Sequence, residues 1–168
     1  MYDLIFLLGA QGSGKTTVAK LLKEKLGSPH IDFDWIRGFH LNKKWRDANN
    51  TELDMSLDNL ISILKNYIKH KYRNIFVSGF TEKDIDKVLN EFKDSKYIII
   101  TLFLTNEEML KQRVLTESRD SGFRNFEESI KFNKRLREEL KYPNEHKIDN
   151  TNQTPEETAN YIKTLLEK

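Results

Sequence analysis

There is no cysteine among the 168 residues. That absence excludes disulfides, thiolate metal sites and a cysteine nucleophile, and it fits a reducing compartment. An excess of one charge is also missing. With 28 basic against 26 acidic side chains the net charge is +2, too little for a general nucleic-acid or membrane field. Any basic site must therefore be local. No apolar run is long enough to cross a bilayer, and the opening MYDLIFLLGA has no basic n-region. The expectation is a soluble cytoplasmic protein with no membrane partner. No linker, repeat or low-complexity tract interrupts the chain, whose length suits one domain, 1–168, with a single sizeable core. The four histidines lack metal-ligand spacing.

What is present is an alternation of apolar runs and helical patterns, the signature of a parallel sheet covered by helices on both faces. The predicted strands are DLIFLL (3 to 8), HIDF (30 to 33), NIFVSG (74 to 79), YIIITLFL (97 to 104) and HKID (146 to 149). Most are continuously apolar, as strands buried on both faces should be. About six helices lie between them, with readable amino-terminal caps at Thr81 (Asp84 three residues on), at Asn106 and at Thr154-Pro155. From Asp54 to Lys71, apolar residues recur at three- and four-residue steps, predicting an ordinary amphipathic helix.

Between the first strand and the first helix lies GAQGSGKTT, Gly9 to Thr17. Gly9-x-x-x-x-Gly14-Lys15-Thr16 matches the phosphate-binding loop pattern in the strand-then-helix context that the pattern requires. Glycines let successive N–H groups turn inward around phosphate oxygens, and the dipole of the following helix adds attraction. The expected nucleotide contacts are Gly9, Gly12, Ser13, Gly14, Lys15, Thr16 and Thr17. Lys15 would reach the β and γ phosphates, and the Thr16 hydroxyl would ligand magnesium.

Further absences narrow the class. Neither NIFVSGF nor YIIITLFLT ends in the carboxylate that a motor ATPase places before its magnesium. A GTPase switch would show DxxG and NKxD segments, and the chain has neither. It does have two carboxylates at the exit of the second strand, Asp32 and Asp34, with Arg37 close behind. Residues i and i+2 of a strand share a side, and the carboxyl ends of parallel strands face the ligand crevice. One acid could help hold hydrated magnesium while the other orients or deprotonates an acceptor hydroxyl; Asp32 is the candidate for the metal and Asp34 for the acceptor. Arg37 is suited to grip an anionic group on the acceptor. The plainer alternative is a helix start, with Asp34 as cap and Arg37 in solvent. Later, Arg113, Arg119 and Arg124 surround the break Asp120-Ser121-Gly122-Phe123, which reads either as a lid, about 113–126, or as a solvated helical hairpin. A closing lid would bring Arg119 and Arg124 onto the transferring phosphoryl and exclude water.

On these residues the chain resembles the small P-loop kinases typified by nucleoside monophosphate kinases and shikimate kinase. The resemblance implies a three-layer α/β P-loop NTPase fold with strand order 2-3-1-4-5. It implies acceptor binding by Asp34 and Arg37, adenine stacking by Arg113, a lid phosphate contact by Arg119, and an adenine-bordering loop within KIDNTNQTPEETANYI. Ser78-Gly79-Phe80 keeps the glycine and aromatic of the monophosphate kinase segment after the third strand, without its acid or proline. The glycine run of shikimate kinases is missing there too, so the acceptor stays open. The acceptor segment, about 35–72, offers Trp35, Phe39, His40, Trp45, Arg46, Asn49 and Asn50 for stacking on a ring and bonding its edges.

The expected activity is ATP-dependent transfer of the γ-phosphoryl of magnesium-ATP to a small-molecule hydroxyl or phosphate, on a nucleoside, nucleotide or similar metabolite, by a monomer or homodimer. Two alternatives stand beside it: a kinase for the 5′ hydroxyl of a nucleic acid, against which the near-neutral charge speaks, and an ATP-binding regulator without transfer activity.

Overall fold

The computed structural model describes residues 1–39, 49–116, 123–139 and 141–167. Five strands form one sheet: β1 (Leu4–Gly9), β2 (His30–Asp32), β3 (Ile75–Ser78), β4 (Tyr97–Phe103) and β5 (Glu145–Asp149). All neighbours pair in parallel, in the order β2-β3-β1-β4-β5 that the resemblance implied. Every residue of β1 is buried, and its side chains alternate between two cores, as a period of two dictates. Leu4, Phe6 and Leu8 meet Phe33, Leu57, Leu60, Leu64, Ile85 and Val88 on one face. Ile5 and Leu7 meet Val18, Leu22, Ala159 and Ile162 on the other.

The first face is covered by α2 (Phe33–Arg37), α3 (Asn50–Lys69) and α4 (Glu82–Glu91), the second by α1 (Lys15–Leu26) and α7 (Pro155–Leu166). The remaining helices, α5 (Glu107–Leu115) and α6 (Phe126–Glu138), pack on one another beyond the end of β4 through Leu104, Leu110 and Val114 with Phe126 and Ile130. None of the described helices is long and apolar enough to cross a membrane.

The three predicted caps are present: Thr81 and Thr154 form reciprocal capping boxes with Asp84 and Glu157, and Asn106 caps α5. Two readings need correction. The helix expected over Asp54 to Lys71 runs from Asn50 to Lys69, because Asn49 caps it in a box with Glu52, and Lys71 stands at φ 68 beyond its end. Asn49 therefore spends its side-chain oxygen on the Glu52 N–H, at 3.0 Å, instead of offering it to an acceptor ring. The described helices number seven; the additional one is the five-residue α2.

Candidate active site

The phosphate loop leaves the carboxyl end of β1, the middle strand, and enters α1 through Gly14, whose φ is 92. Lys15 is folded onto its own loop, donating to the carbonyls of Gly9 and Ala10 at 2.6 and 2.9 Å. Those acceptors are neutral. A phosphate oxygen competes for the ammonium with the advantage of charge. Ser13 is completely buried, and its carbonyl accepts from Asn150 Nδ2 at 2.8 Å, which ties the loop following β5 to the phosphate loop. That following loop is itself knitted together. Thr151 donates to the Asp149 carboxylate from its N–H at 3.0 Å and from its hydroxyl, and Thr105 Oγ1 donates to the other oxygen at 3.1 Å. Burial raises the Asp149 pKa, but these bonds outweigh it and leave the pKa below the ordinary value. Thr16 and Thr17 are exposed on the first turn of α1.

The carboxylate pair is assembled differently from the strand geometry expected. β2 stops at Asp32, which turns out of the sheet and caps α2: its Oδ1 accepts from the Asp34 N–H at 3.1 Å. The two acids are neighbours across a helix cap, not across one strand face. Asp34 keeps 56% of its side chain exposed. Partial desolvation pushes its pKa up, the negative charge of Asp32 adds to this, and Arg37 and Lys15 oppose it. Asp34 thus feels the charges of both the phosphate-loop lysine and Arg37.

Arg37 is not the solvated side chain of the plainer reading. It is buried, with its guanidinium 4.3 Å above the Phe33 ring. Its NH2 donates to Asp84 at 2.7 Å, and its NH1 donates to Asp34 at 3.3 Å and to the Gly79 carbonyl at 3.4 Å. Asp84 also accepts from the N–H and hydroxyl of Thr81, so one carboxylate both caps α4 and holds Arg37. In this arrangement Arg37 positions Asp34. Gly79 lets the β3 exit lie against the pair: its φ is 82, and a Cβ there would stand 2.6 Å from Asp32 Oδ1 and 3.0 Å from Asp34 N. Next to it Phe80 packs on Phe33 and Phe6, at centroid distances of 5.4 and 5.6 Å.

Of the arginines, Arg113 is half-buried on the last turn of α5, where desolvation lowers its pKa, and Arg124 is exposed and donates to the Phe123 carbonyl at 2.8 Å. Arg119, His40, Trp45 and Arg46 lie outside the described residues. Sequence reasoning passed over Asn150 and Ser129 and gave Asp84 only its capping role, because the contacts it missed are with partners dozens of residues away.

Magnesium takes near-octahedral oxygen ligation and keeps several waters, so one or two protein oxygens suffice beside the phosphates. The Thr16 hydroxyl and the Asp32 carboxylate are donors of that kind, and no group of three or more acids and histidines among the described residues offers a dedicated cage instead.

A parallel sheet of this order, a glycine-framed loop feeding a helix and carboxylates at the same sheet end define a kinase-like P-loop nucleotide-binding domain. The chain belongs to the AAA domain family, which matches residues 5–131. It is 31% identical to the "Putative adenylate kinase" of Thermococcus gammatolerans over 98% of this chain and 86% of that protein. The protein of the same name from Pyrococcus furiosus is 30% identical over 97% of this chain and 83% of its own length. Among solved structures, a sugar kinase from Janibacter sp. HTCC2649 superposes with a TM-score of 0.66 at 19% identity, covering 99% of this chain and 95% of that one. Shikimate kinase from Acinetobacter baumannii, solved with shikimate, gives 0.64 at 22% identity, covering 98% and 92%. The fold and the family are those of small P-loop kinases.

Proposed function

We propose that the protein is an ATP-dependent phosphotransferase that moves the γ-phosphoryl of magnesium-ATP to a hydroxyl or phosphate of a small molecule, of the nucleoside or nucleotide class. The observation that carries this reading is the position of Asp34: a carboxylate, half open to water, on which the charges of Lys15 and Arg37 both act. The names of the archaeal relatives support a nucleotide acceptor, and the shikimate and sugar kinase folds are compatible with a hydroxyl.

In the mechanism, Lys15 turns from the loop carbonyls to the β and γ phosphates, and the amides of Gly12 to Thr16 cradle them. Thr16 and Asp32 would hold magnesium, which would supply charge neutralisation at the phosphates. Asp34 accepts a hydrogen bond from the acceptor hydroxyl and takes its proton as the oxygen bonds to phosphorus and the bond to the ADP oxygen breaks. If the acceptor group is already an anionic phosphate, Asp34 orients it through the molecule's other hydroxyls. Arg37 keeps Asp34 aligned. Arg113 and Arg124 supply positive charge on the α5–α6 side, where water must be kept from the phosphoryl, and Arg119 is the further phosphate contact that the family resemblance implies.

ADP production from magnesium-ATP, alone and with nucleosides, nucleotides, hydroxy acids and sugars, tests the reading. An acceptor that raises the rate at least about tenfold is the expected result. A slow rate that no acceptor changes, with tight ATP binding, would make the domain a regulator instead.

A further inference from the structure

The α5–α6 pair grips the phosphate loop from two sides. From α5, Val114 and Leu110 approach Gly12 so closely that a Cβ there would stand 3.0 Å from Val114 Cγ2 and 3.2 Å from Leu110 Cδ1, and the glycine's φ of +89 disfavours a side chain as well. From α6, Ser129 reaches across 118 positions of sequence and donates its hydroxyl to the Gln11 carbonyl at 2.5 Å. Ser129 is fully buried. A helical serine usually returns its hydroxyl to a carbonyl of its own helix; this one spends it on another element. One turn later Asn133 fastens α6 to the exit of β4, accepting from the Leu104 N–H at 3.0 Å and donating to the Leu104 carbonyl at 2.7 Å. The serine is therefore mounted on a helix fixed to the sheet.

Peptide planarity gives this bond a consequence. In a trans peptide the carbonyl of one residue and the N–H of the next point in opposite directions. Holding the Gln11 carbonyl toward α6 aims the Gly12 N–H away from α6, and among the described residues no hydrogen bond occupies that N–H. We infer that Ser129 is a positioning residue for the nucleotide: it sets the Gln11–Gly12 peptide so that the Gly12 N–H is presented to a phosphoryl oxygen. The inference rests on the reading that this loop holds a nucleoside triphosphate. Without the hydroxyl, the peptide is free to rotate and one donor of the cradle loses its aim.

The test is calorimetric titration of the full chain with magnesium-ATP, at a temperature where circular dichroism shows each variant folded. Ser129→Ala should weaken magnesium-ATP binding about three- to tenfold, the worth of one hydrogen bond. Ser129→Thr, which keeps the hydroxyl, should bind like the wild type, and Ser129→Cys, with its weaker donor, should fall between. A folded Ser129→Ala protein with wild-type affinity overturns the inference, as does equal weakening by Thr and Ala, which would trace the effect to packing. If the alanine variant does not fold, the cysteine variant decides, and unchanged affinity there overturns the inference. Failure of wild-type protein to bind magnesium-ATP is a different result and removes the functional reading beneath it.

Discussion

Around the phosphate loop the groups that would meet a ligand are peptide N–H groups, held in place by Asn150, Ser129 and the close packing of Val114 on Gly12. Around α2 they are side chains: the Asp32 and Asp34 carboxylates, with Trp35 on the helix and Phe39 just beyond its end exposed at 75% and 77%. Backbone donors read the phosphate common to every nucleotide, whereas carboxylates and rings read one acceptor among many. On the proposed reading the donor side would be generic, and the acceptor side would carry the specificity and depend for its shape on the ion network that the buried Arg37 makes with Asp34 and Asp84.

If this division is right, substitutions on the two sides should fail in different ways. The largest effect belongs to the donor side. Lys15→Ala should cut acceptor-stimulated turnover by about a thousandfold or more with little change in melting temperature, since it removes a charge aimed at the transition state and no packing. Steady-state ADP release and a thermal melt check both halves.

Asp34→Asn should lower turnover by about a hundredfold to ten-thousandfold as a general base is lost. It should also raise stability. Because the folded-state pKa of Asp34 is raised, mainly by desolvation, the ionised carboxylate opposes folding at neutral pH. The asparagine variant should therefore melt higher than wild type at pH 7, and the difference should vanish as the pH falls below the unfolded value. By the same sign, wild-type turnover should fall as the pH drops through a midpoint above the ordinary 3.8. A lower melting temperature for the variant at pH 7 would contradict this.

The ion network comes next. Asp84→Ala leaves the buried Arg37 with Asp34 as its remaining carboxylate partner and breaks the α4 capping box, for a loss of about 3 kcal/mol in denaturant unfolding. Arg37→Met should cost a similar amount and should move the acid limb of turnover upward, because the guanidinium opposes the rise in the Asp34 pKa. Gly79→Ala, with a Cβ driven against Asp32 and a positive φ, should lose about 2 kcal/mol and some turnover together. The smallest effect on stability belongs to Trp35→Ala, within about 0.5 kcal/mol for so exposed a ring. If the ring stacks on the acceptor, the KM for that acceptor rises and the KM for ATP does not.

The contrast between the two sides also explains what the sequence made legible. The sheet, the caps at Thr81, Asn106 and Thr154, and the phosphate loop were readable, because burial on two faces, capping chemistry and backbone curvature each impose residue types at fixed short spacing, whereas the strand order came from the resemblance to the small P-loop kinases. The acid pair was found, but its geometry was not. The strand reading assumed that the extended backbone continued to Asp34, whereas Asp32 makes the chain turn into α2. Arg37 looked available because nothing local announces Asp84, which lies 47 positions away. Asn150 and Ser129 escaped for the same reason: a side chain that supports a backbone loop from a distant element leaves no periodic trace.

Comparison of acceptor-stimulated turnover with ATP affinity in the wild type and in Asp34→Asn tests the central claim most directly. The account predicts that the variant binds magnesium-ATP as the wild type does while the acceleration by acceptor collapses. Equal losses in both quantities, or an acceleration that survives the substitution, would contradict it and make Asp34 a residue of the metal site or of the fold.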